Sequence, residues 1–412
     1  MGRIQELDGL RAIAILLVLG AHFVPQESRL ANILGLGWCG VDLFFAISGF
    51  LITGILLGLR KREAPFRTFY WRRTLRIFPP YYLVLALIVV LALVSGERIS
   101  YREVARHALF LSSITPGLLK VALGRLAWQV SAPLPPGLKQ FEHSLLQFKD
   151  CLGIYWSLSV EELFYVIWAP IVLRGSRRLV LLCSVAPLLV CPVLRGLGHT
   201  TPHIDESVGF AFRFDSLAAG GCVALLLWGV DHELVKMRSA ARGLVATVIL
   251  ASVSLIFLVE LCGISRGVDV RTTEAFSVFG FSLLAMLFAS VVGLCARWSG
   301  GLGMISSVLR SKSGAYIGRV SYMVYLVHLP TYVIVQLLFV KLFGWDALST
   351  NPAHGAVCGL VAALGAIGLA GLSWTYFESP IMRMKDAAFP TRRQVDDPPV
   401  AASLDRTSRV CA

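Results

Sequence analysis

The chain has 412 residues, of which 56% are hydrophobic and 15% are charged, with a formal net charge of +13 at pH 7. This composition excludes an ordinary soluble domain and indicates a protein that crosses a membrane several times. A basic excess can also mark a nucleic-acid binder. Here, however, the basic residues lie mostly between apolar runs, so we interpret them as orientation signals and expect no nucleic-acid partner. The nine cysteines include no CxxC pair, and we expect no metal site and no bound cofactor.

Ten apolar segments come close to the roughly 20 residues that a membrane-spanning helix needs. They are 9–26, 37–59, 79–96, 154–173, 178–197, 208–229, 241–262, 276–296, 318–340 and 355–377. The first continues without a small-residue cleavage site, so we interpret it as a retained helix rather than a signal peptide. The sequence therefore predicts an all-α integral membrane protein with about ten transmembrane helices, in one domain over residues 1–384.

Lys and Arg residues in short loops predict the orientation, because loops rich in them stay on the cytoplasmic side. With the N-terminus inside, the inner short loops hold 17 such residues and the outer short loops hold three. We therefore expect both termini in the cytoplasm and the chain in the inner (plasma) membrane. Segment 97–153 would be extracytoplasmic, with an interfacial helix near 104–120. Residues 385–412, polar and proline-containing, would form a disordered cytoplasmic tail.

Ionisable side chains inside spanning helices mark functional sites by default, because their burial in lipid is costly. On the predicted topology, His22, Asp42, Glu161 and Glu162 fall in the outer half of the membrane, and Arg11 lies near the inner end of the first helix. Adjacent residues on a helix point about 100° apart. We therefore expect only one of the two glutamates to face His22.

A basic stretch, "YWRRTLRIFPPYY", places Arg72, Arg73 and Arg76 just before the third helix, with Pro79 and Pro80 in its first turn. Guanidinium groups suit phosphates, although the same run also fits a simple orientation signal. A histidine held by a carboxylate is the usual general base for a hydroxyl. Together these residues indicate transfer of an acyl group from a phosphorylated cytoplasmic donor, such as an acyl-CoA, to a hydroxyl on the outer side.

The motifs resemble those of the acyltransferase-3 family, membrane-bound acyltransferases that include O-antigen acetylases. The ten residues between Arg11 and His22 match its R-x10-H motif. Six further segments are similar to family segments in the same order, and the likeness spans about residues 5–383. These segments are "GVDLFFAISGFLI", "RRTLRIFPPYY", "YWSLSVEELFY", "FRFDSLAAGGCVALL", "IGRVSYMVYLVHLP" and "TYFESPIMR".

The resemblance implies roles for the matching residues. His22 would be the essential base, with Arg11 and Asp42 as motif partners and Glu162 as the carboxylate that faces the site. An acyl-CoA, with acetyl as the expected acyl group, would contact Arg72, Arg73 and Arg76. Residues with a supporting role, catalytic or structural, would be Glu161, Ser48, Arg213, Asp215, His328 and Glu378. Ser48 is a candidate acyl carrier, or a residue that serves helix packing.

Several alternatives stay open. The acceptor is a glycan, a lipid-linked sugar or a small hydroxylated molecule, and the protein contacts membrane lipid throughout. Direct transfer and a covalent acyl-enzyme both fit the residues. Another class of function is a polytopic transporter or flippase that uses buried ionisable residues, although the two halves share no paired, interrupted helices. A third alternative is an inactive relative that serves as a membrane partner.

Overall fold

The computed structural model describes residues 4–23, 35–114, 147–199, 210–264, 270–298, 303–345 and 352–388, and these residues contain helices and no strands. The first seven α-helices are α1 (Gln5–Phe23), α2 (Gly40–Leu59), α3 (Pro65–Val94), α4 (Tyr101–Ala108), α5 (Trp156–Arg174), α6 (Arg177–His199) and α7 (Phe210–Asp231). The remaining six are α8 (Met237–Leu261), α9 (Phe281–Arg297), α10 (Met304–Leu309), α11 (Lys312–Phe343), α12 (Pro352–Ser373) and α13 (Ser379–Ala388). Short 3₁₀ turns precede α2 and α5, and π turns precede α9 and α13.

Nine helical segments among the described residues are long and apolar enough to cross a membrane, by length and composition. They contain α2, α3, α5, α6, α7, α8, α9, α11 and α12. The tenth predicted span is α1, whose first half carries Glu6, Asp8 and Arg11. It packs against α11 and α2 within the bundle. The prediction of an all-α, multi-pass membrane protein is therefore confirmed.

Two of the predicted peripheral segments are described only in part. A short helix, α4, overlaps only the start of the expected interfacial helix, at residues 104–108. Residues 115–146 of the segment predicted to be extracytoplasmic and residues 389–412 of the predicted tail lie outside the described residues.

The third spanning helix begins earlier than the sequence indicates. The expectation that Pro79 and Pro80 occupy its first turn is wrong, because α3 begins at Pro65 and runs unbroken through both. Pro65 occupies the first helical position, where its missing N–H needs no partner. A proline removes the hydrogen bond to the carbonyl four residues earlier, so Pro79 and Pro80 free the carbonyls of Leu75 and Arg76. Membrane helices tolerate internal prolines because neighbouring groups or local backbone adjustments can satisfy such carbonyls. The three arginines of this stretch therefore lie inside α3.

Glycines bring two pairs of helices into close backbone contact. A Cβ added at Gly318 of α11 would clash with the Asp8 carbonyl oxygen of α1, and one added at Gly49 of α2 would clash with the Leu217 carbonyl oxygen of α7. Such small residues let membrane helices approach closely and pack well. These contacts hold α1 against α11 and α2 against α7 in one register, which determines which polar side chains of each pair can meet.

Candidate active site

A narrow cavity of about 80 Å³ is enclosed by α1, α2, α3, α5 and α11, and we call it the arginine–glutamate cavity. The charged residues that line it are Arg11, Arg73, Arg76, Glu161 and Glu162. The hydroxyl-bearing residues that line it are Ser48, Ser157, Tyr165, Ser321, Tyr322 and Tyr325. Half of the ten Arg, Asp and Glu residues that the sequence singles out therefore meet at one place, although they are distant along the chain.

Two hydroxyl groups hold the Glu161 carboxylate. Ser48 Oγ donates to Oε1 at 2.7 Å, and the Tyr165 hydroxyl donates to Oε2 at 2.9 Å. The Arg73 guanidinium lies over the Tyr165 ring, 4.9 Å from its centroid. Arg11 interacts electrostatically with both Glu161 and Arg73. Ser48 thus positions Glu161, and the glutamates lie beside arginines rather than beside His22 as the sequence led us to expect.

Glu162 lines the same cavity, but its carboxylate is less completely hydrogen-bonded than that of Glu161. Its Oε1 atom is buried and has no hydrogen-bond partner among the described residues. Leaving a buried acceptor unsatisfied costs about 1–3 kcal/mol, and more for a charged group. A hydrogen-bond donor of a bound molecule or of water would therefore stabilise the Glu162 carboxylate.

The predicted donor arginines do not all reach this cavity. Arg73 and Arg76 line it, whereas Arg72 is half-buried and does not. Arg76 interacts electrostatically with Arg11, Arg73 and, from the π turn before α13, Glu378. The cavity therefore brings three guanidinium groups close together, with carboxylates between and beside them.

The two histidines that the sequence singles out pack against each other. His22, in the last turn of α1, lies with its ring centroid 5.1 Å from that of His328 on α11, with the ring planes at 62°. His22 Nδ1 is 2.8 Å from the Val18 carbonyl oxygen, and His328 Nδ1 is 2.7 Å from that of Tyr325. A carbonyl can only accept, so each Nδ1 carries the hydrogen and each Nε2 of a neutral ring is an acceptor. Among the described residues, no carboxylate bonds to His22.

Tyr325 joins the histidine pair to the arginine–glutamate cavity. Its ring centroid lies 5.6 Å from that of His328. Its hydroxyl is 2.7 Å from Ser157 Oγ, and both residues line the cavity. His22 is not a lining residue, but it lies about 16 Å along α1 from Arg11, at 1.5 Å per residue. The imidazoles therefore adjoin the part of the cavity that is remote from Arg11.

Asp42 has a different partner from the one that the sequence predicts. Its Oδ1 atom is 2.5 Å from Nη2 of Arg213 and accepts a hydrogen bond from Ser216 Oγ at 3.0 Å. Asp42 is completely buried, and the Arg213 guanidinium lies 3.9 Å from the centroid of the Phe281 ring. No hydrogen bond or ion pair within the described residues joins Asp42 to His22. The contacts favour a positioning role for Asp42 and Arg213.

A second buried ion pair involves a residue that the sequence analysis missed. Arg195 of α6 pairs with Asp215 of α7 at 3.0 Å, and both side chains are completely buried. Ser282 Oγ donates to the same Asp215 oxygen at 2.6 Å, and Arg195 Nη1 donates to the Phe212 carbonyl at 2.5 Å. Arg195 lies in the predicted span 178–197, so the rule that singled out His22 would have found it.

Comparison with known proteins adds independent findings. The family model Acyl_transf_3, described as an acyltransferase domain, matches residues 4–371. The chain is 27% identical to peptidoglycan O-acetyltransferase OatA of Listeria monocytogenes, over 79% of this chain and 49% of that protein. It is 28% identical to the putative peptidoglycan O-acetyltransferase YrhL of Bacillus subtilis, over 94% of this chain and 56% of that protein.

A third relative is O-acetyltransferase OatA of Staphylococcus aureus, 24% identical over 93% of this chain and 58% of that protein. The chain therefore spans only about half to three-fifths of the length of these relatives. No solved structure matches the chain.

Proposed function

The chain belongs to the Acyl_transf_3 acyltransferase family, and from that premise we propose that it is a membrane O-acyltransferase. It transfers an acyl group, with acetyl the expected one, from an acyl-CoA donor to a hydroxyl of a glycan. The names of the relatives, peptidoglycan O-acetyltransferases, support an acetyl group and a glycan acceptor. The observation that carries the proposal is that a cavity lined by three arginines adjoins a pair of histidines through Tyr325.

His22 acts as the general base in this proposal. Its Nε2 atom takes the proton of the acceptor hydroxyl while the hydroxyl oxygen forms a bond to the thioester carbonyl carbon. The carbon–sulfur bond then breaks, and the CoA thiolate leaves with its electron pair and receives the proton from the imidazolium. The hydrogen bond from His22 Nδ1 to the Val18 carbonyl supports this role because it keeps Nε2 as the acceptor.

His328 assists His22 in place of the carboxylate that the sequence suggested. Its Nε2 atom is buried and has no hydrogen-bond partner among the described residues. The neutral His328 ring, with an acceptor atom that no donor occupies, lies beside His22 and favours the positive charge that His22 carries once it has taken the hydroxyl proton. The Nε2 proton of His22 stays available for the thiolate. We therefore assign His328 as a positioning residue that stabilises the imidazolium form of His22.

The arginines of the arginine–glutamate cavity bind the phosphates of the donor. Guanidinium groups bind phosphate oxygens with two parallel hydrogen bonds. Arg73 and Arg76 carry this role more than Arg72, because they line the cavity and Arg72 does not. Two hydroxyls hold Glu161 in place, and its negative charge offsets the repulsion between the guanidinium groups when the donor is absent.

The test is acetyl transfer by the purified protein in lipid nanodiscs, with radiolabelled acetyl-CoA and soluble peptidoglycan fragments. We expect His22→Gln to lower the rate at least about 100-fold, the smallest usual contribution of a general base. His232→Gln is the matched control, because His232 is exposed at the end of α7. Equal rates in wild type and His22→Gln would refute the assignment of the base. Solute transport by proteoliposomes without acetyl-CoA, and no label transfer, would favour the transporter.

Testing the role of His328 requires a measurement that would stay the same if His328 only packed against His22. We expect His328→Gln to lower kcat about tenfold, with little change in the KM for acetyl-CoA, and to shift the acidic limb of the pH–rate profile, since it removes a neighbour of the His22 imidazolium. A variant with an unshifted pH profile and equal losses at every pH would show that His328 only packs against His22.

A further inference from the structure

A second, larger cavity lies in another part of the helical bundle. It has a volume of about 600 Å³, is lined by α6, α7, α8, α9 and the C-terminal end of α2, and shares no lining residue with the arginine–glutamate cavity. Its walls are mainly aliphatic, with Val180, Leu188, Val223, Leu226 and Leu244 among them. The volume lies within the range of about 300–1,000 Å³ that is typical of ligand sites. The proposed reaction uses none of these residues.

The cavity opens toward the side of the bundle that would face lipid. In the apolar 18-residue stretch that qualifies each of α6 and α8 as a candidate span, only 22% of the residues are buried. These are the lowest values among the candidate spans. α6 packs mainly against α7, and α8 packs mainly against α9, which leaves a gap between α6 and α8. Leu181 and Leu234 line the cavity and are more than half exposed. Within a bilayer the surrounding medium at this gap is hydrocarbon, so an acyl chain is the expected occupant.

Two arginines lie at one end of the cavity. Arg60 follows α2, and its guanidinium donates to the carbonyls of Val172 and Gly175 at 2.5 Å each, at the C-terminal end of α5. Arg177 begins α6, and its guanidinium lies 4.8 Å from the centroid of the Trp228 ring. Both line the cavity. The charge is therefore concentrated at one end of an otherwise apolar space.

These two charges have no acidic counterpart in the described part of the chain. Neither guanidinium forms an ion pair there. Burial and the positive charge of Arg177 lower the pKa of Arg60, as expected for a cation that another cation repels. Two like charges beside an apolar cavity are stabilised by an anion that reaches both, and phosphate oxygens are well matched to guanidinium groups.

We propose that this cavity binds an anionic phospholipid, with one acyl chain between α6 and α8 and the headgroup phosphate between Arg60 and Arg177. This end of the bundle carries the basic loops at residues 60–62 and 174–178, so the lipid comes from the leaflet that these loops face. The proposal does not depend on the acyl transfer reaction, because it concerns a different cavity and its readout is bound lipid.

The test is native mass spectrometry of the purified protein, titrated in detergent with dioleoyl phosphatidylglycerol and, separately, dioleoyl phosphatidylcholine. We expect tighter binding of the anionic lipid, and about a five- to tenfold loss of that affinity in Arg177→Gln, since one basic residue near anionic lipid contributes about 1 kcal/mol. Arg178→Gln is the matched control: it removes the same charge from the next residue, which does not line the cavity. Arg60 is unsuitable because it also caps α5.

A second variant tests the acyl chain. Thr247 of α8 lines the cavity and is half-buried, so Thr247→Trp should fill part of it and lower retention of both lipids. Circular dichroism and gel filtration confirm that each variant is folded. Equal affinity for the two lipids, equal losses in Arg177→Gln and Arg178→Gln, or unchanged binding in a folded Thr247→Trp variant would each overturn the proposal.

Discussion

Replacing Asp42 by asparagine tests whether this residue positions the helices or takes part in catalysis. The family motif implies a partner of His22, whereas the structure pairs Asp42 with Arg213 at 2.5 Å, with both side chains almost fully removed from solvent. Asparagine has nearly the same shape and keeps an oxygen that can accept from Arg213 and Ser216. The change therefore removes the charge and leaves the geometry. What remains is a buried guanidinium without an anionic partner.

The magnitude follows from the burial of the pair. Removing one partner of a buried ion pair costs about 3–5 kcal/mol, because the remaining charge stays desolvated. Arg213→Gln, which leaves the carboxylate alone, should cost a similar amount. Asp42 Oδ2 and Arg213 Nε have no hydrogen-bond partners among the described residues, so the intact pair is incompletely satisfied. We therefore expect the double variant Asp42→Asn/Arg213→Gln, which is neutral, to be more stable than either single variant.

The assay is unfolding in mixed dodecyl maltoside and dodecyl sulfate micelles, followed by tryptophan fluorescence, as a double-mutant cycle. Because the double variant should cost less than either single variant, the expected coupling is larger than one single cost, more than about 3–5 kcal/mol, and lies above the usual range for residues in contact. Costs that add in the double variant would refute the stabilising role of the ion pair. Acyl transfer, measured where all variants are folded, separates the two roles. Equal activities for the two single variants support positioning, and a much lower activity for Asp42→Asn alone would return Asp42 to catalysis.

Three further outcomes follow from the structure. Arg73→Gln should raise the KM for acetyl-CoA about tenfold, because it removes one charge-assisted contact. Arg67 is exposed on the same helix and does not line the cavity, so Arg67→Gln should leave the KM unchanged. Equal effects of the two substitutions would contradict the assignment of the cavity. Gly318→Ala should destabilise the protein by about 1–3 kcal/mol, since the new methyl group meets a backbone carbonyl of α1, whereas Gly368→Ala, with open space around it, should be neutral or stabilising in the same unfolding assay. Burial and a neighbouring cation lower the pKa of His107 to about 4, so the folded state binds fewer protons than the unfolded state between pH 6.5 and 4. The free energy of unfolding should fall by up to about 3 kcal/mol as the pH drops through that window, and His107→Gln should flatten the dependence; parallel pH profiles would contradict this.

The spanning helices were predictable because an apolar run of about 20 residues has few alternatives in a bilayer. The start of α3 was not, and the reason is physical. Two consecutive prolines are a strong signal for a helix start in water, where an interior proline costs about 3 kcal/mol. In a membrane bundle, neighbouring helices and local adjustments of the backbone can satisfy the carbonyls that an interior proline leaves without a donor. The helix therefore continues through both prolines.

The charged residues that line the arginine–glutamate cavity were all named from the sequence, but the way in which the singled-out residues pair was not predictable. Depth along a helix follows from counting at 1.5 Å per residue. Which neighbour a side chain faces depends on the rotation of each helix about its axis, and that is determined by contacts such as Gly318 on Asp8. Counting placed Asp42 and His22 at similar depth, yet Asp42 faces α7 and His22 faces α11.

The adjacent glutamates show most clearly how the packing divides roles between similar residues. Their side chains point about 100° apart on α5, and both reach the arginine–glutamate cavity. Glu161 has a donor for each carboxylate oxygen, which suits a fixed counter-charge between the guanidiniums. Glu162 Oε1 has no hydrogen-bond partner within the described residues. Because an unsatisfied buried acceptor gains most from an incoming donor, we expect Glu162 to contact a hydroxyl or amide of a bound substrate, and Glu161 to keep the site in shape before the substrate arrives.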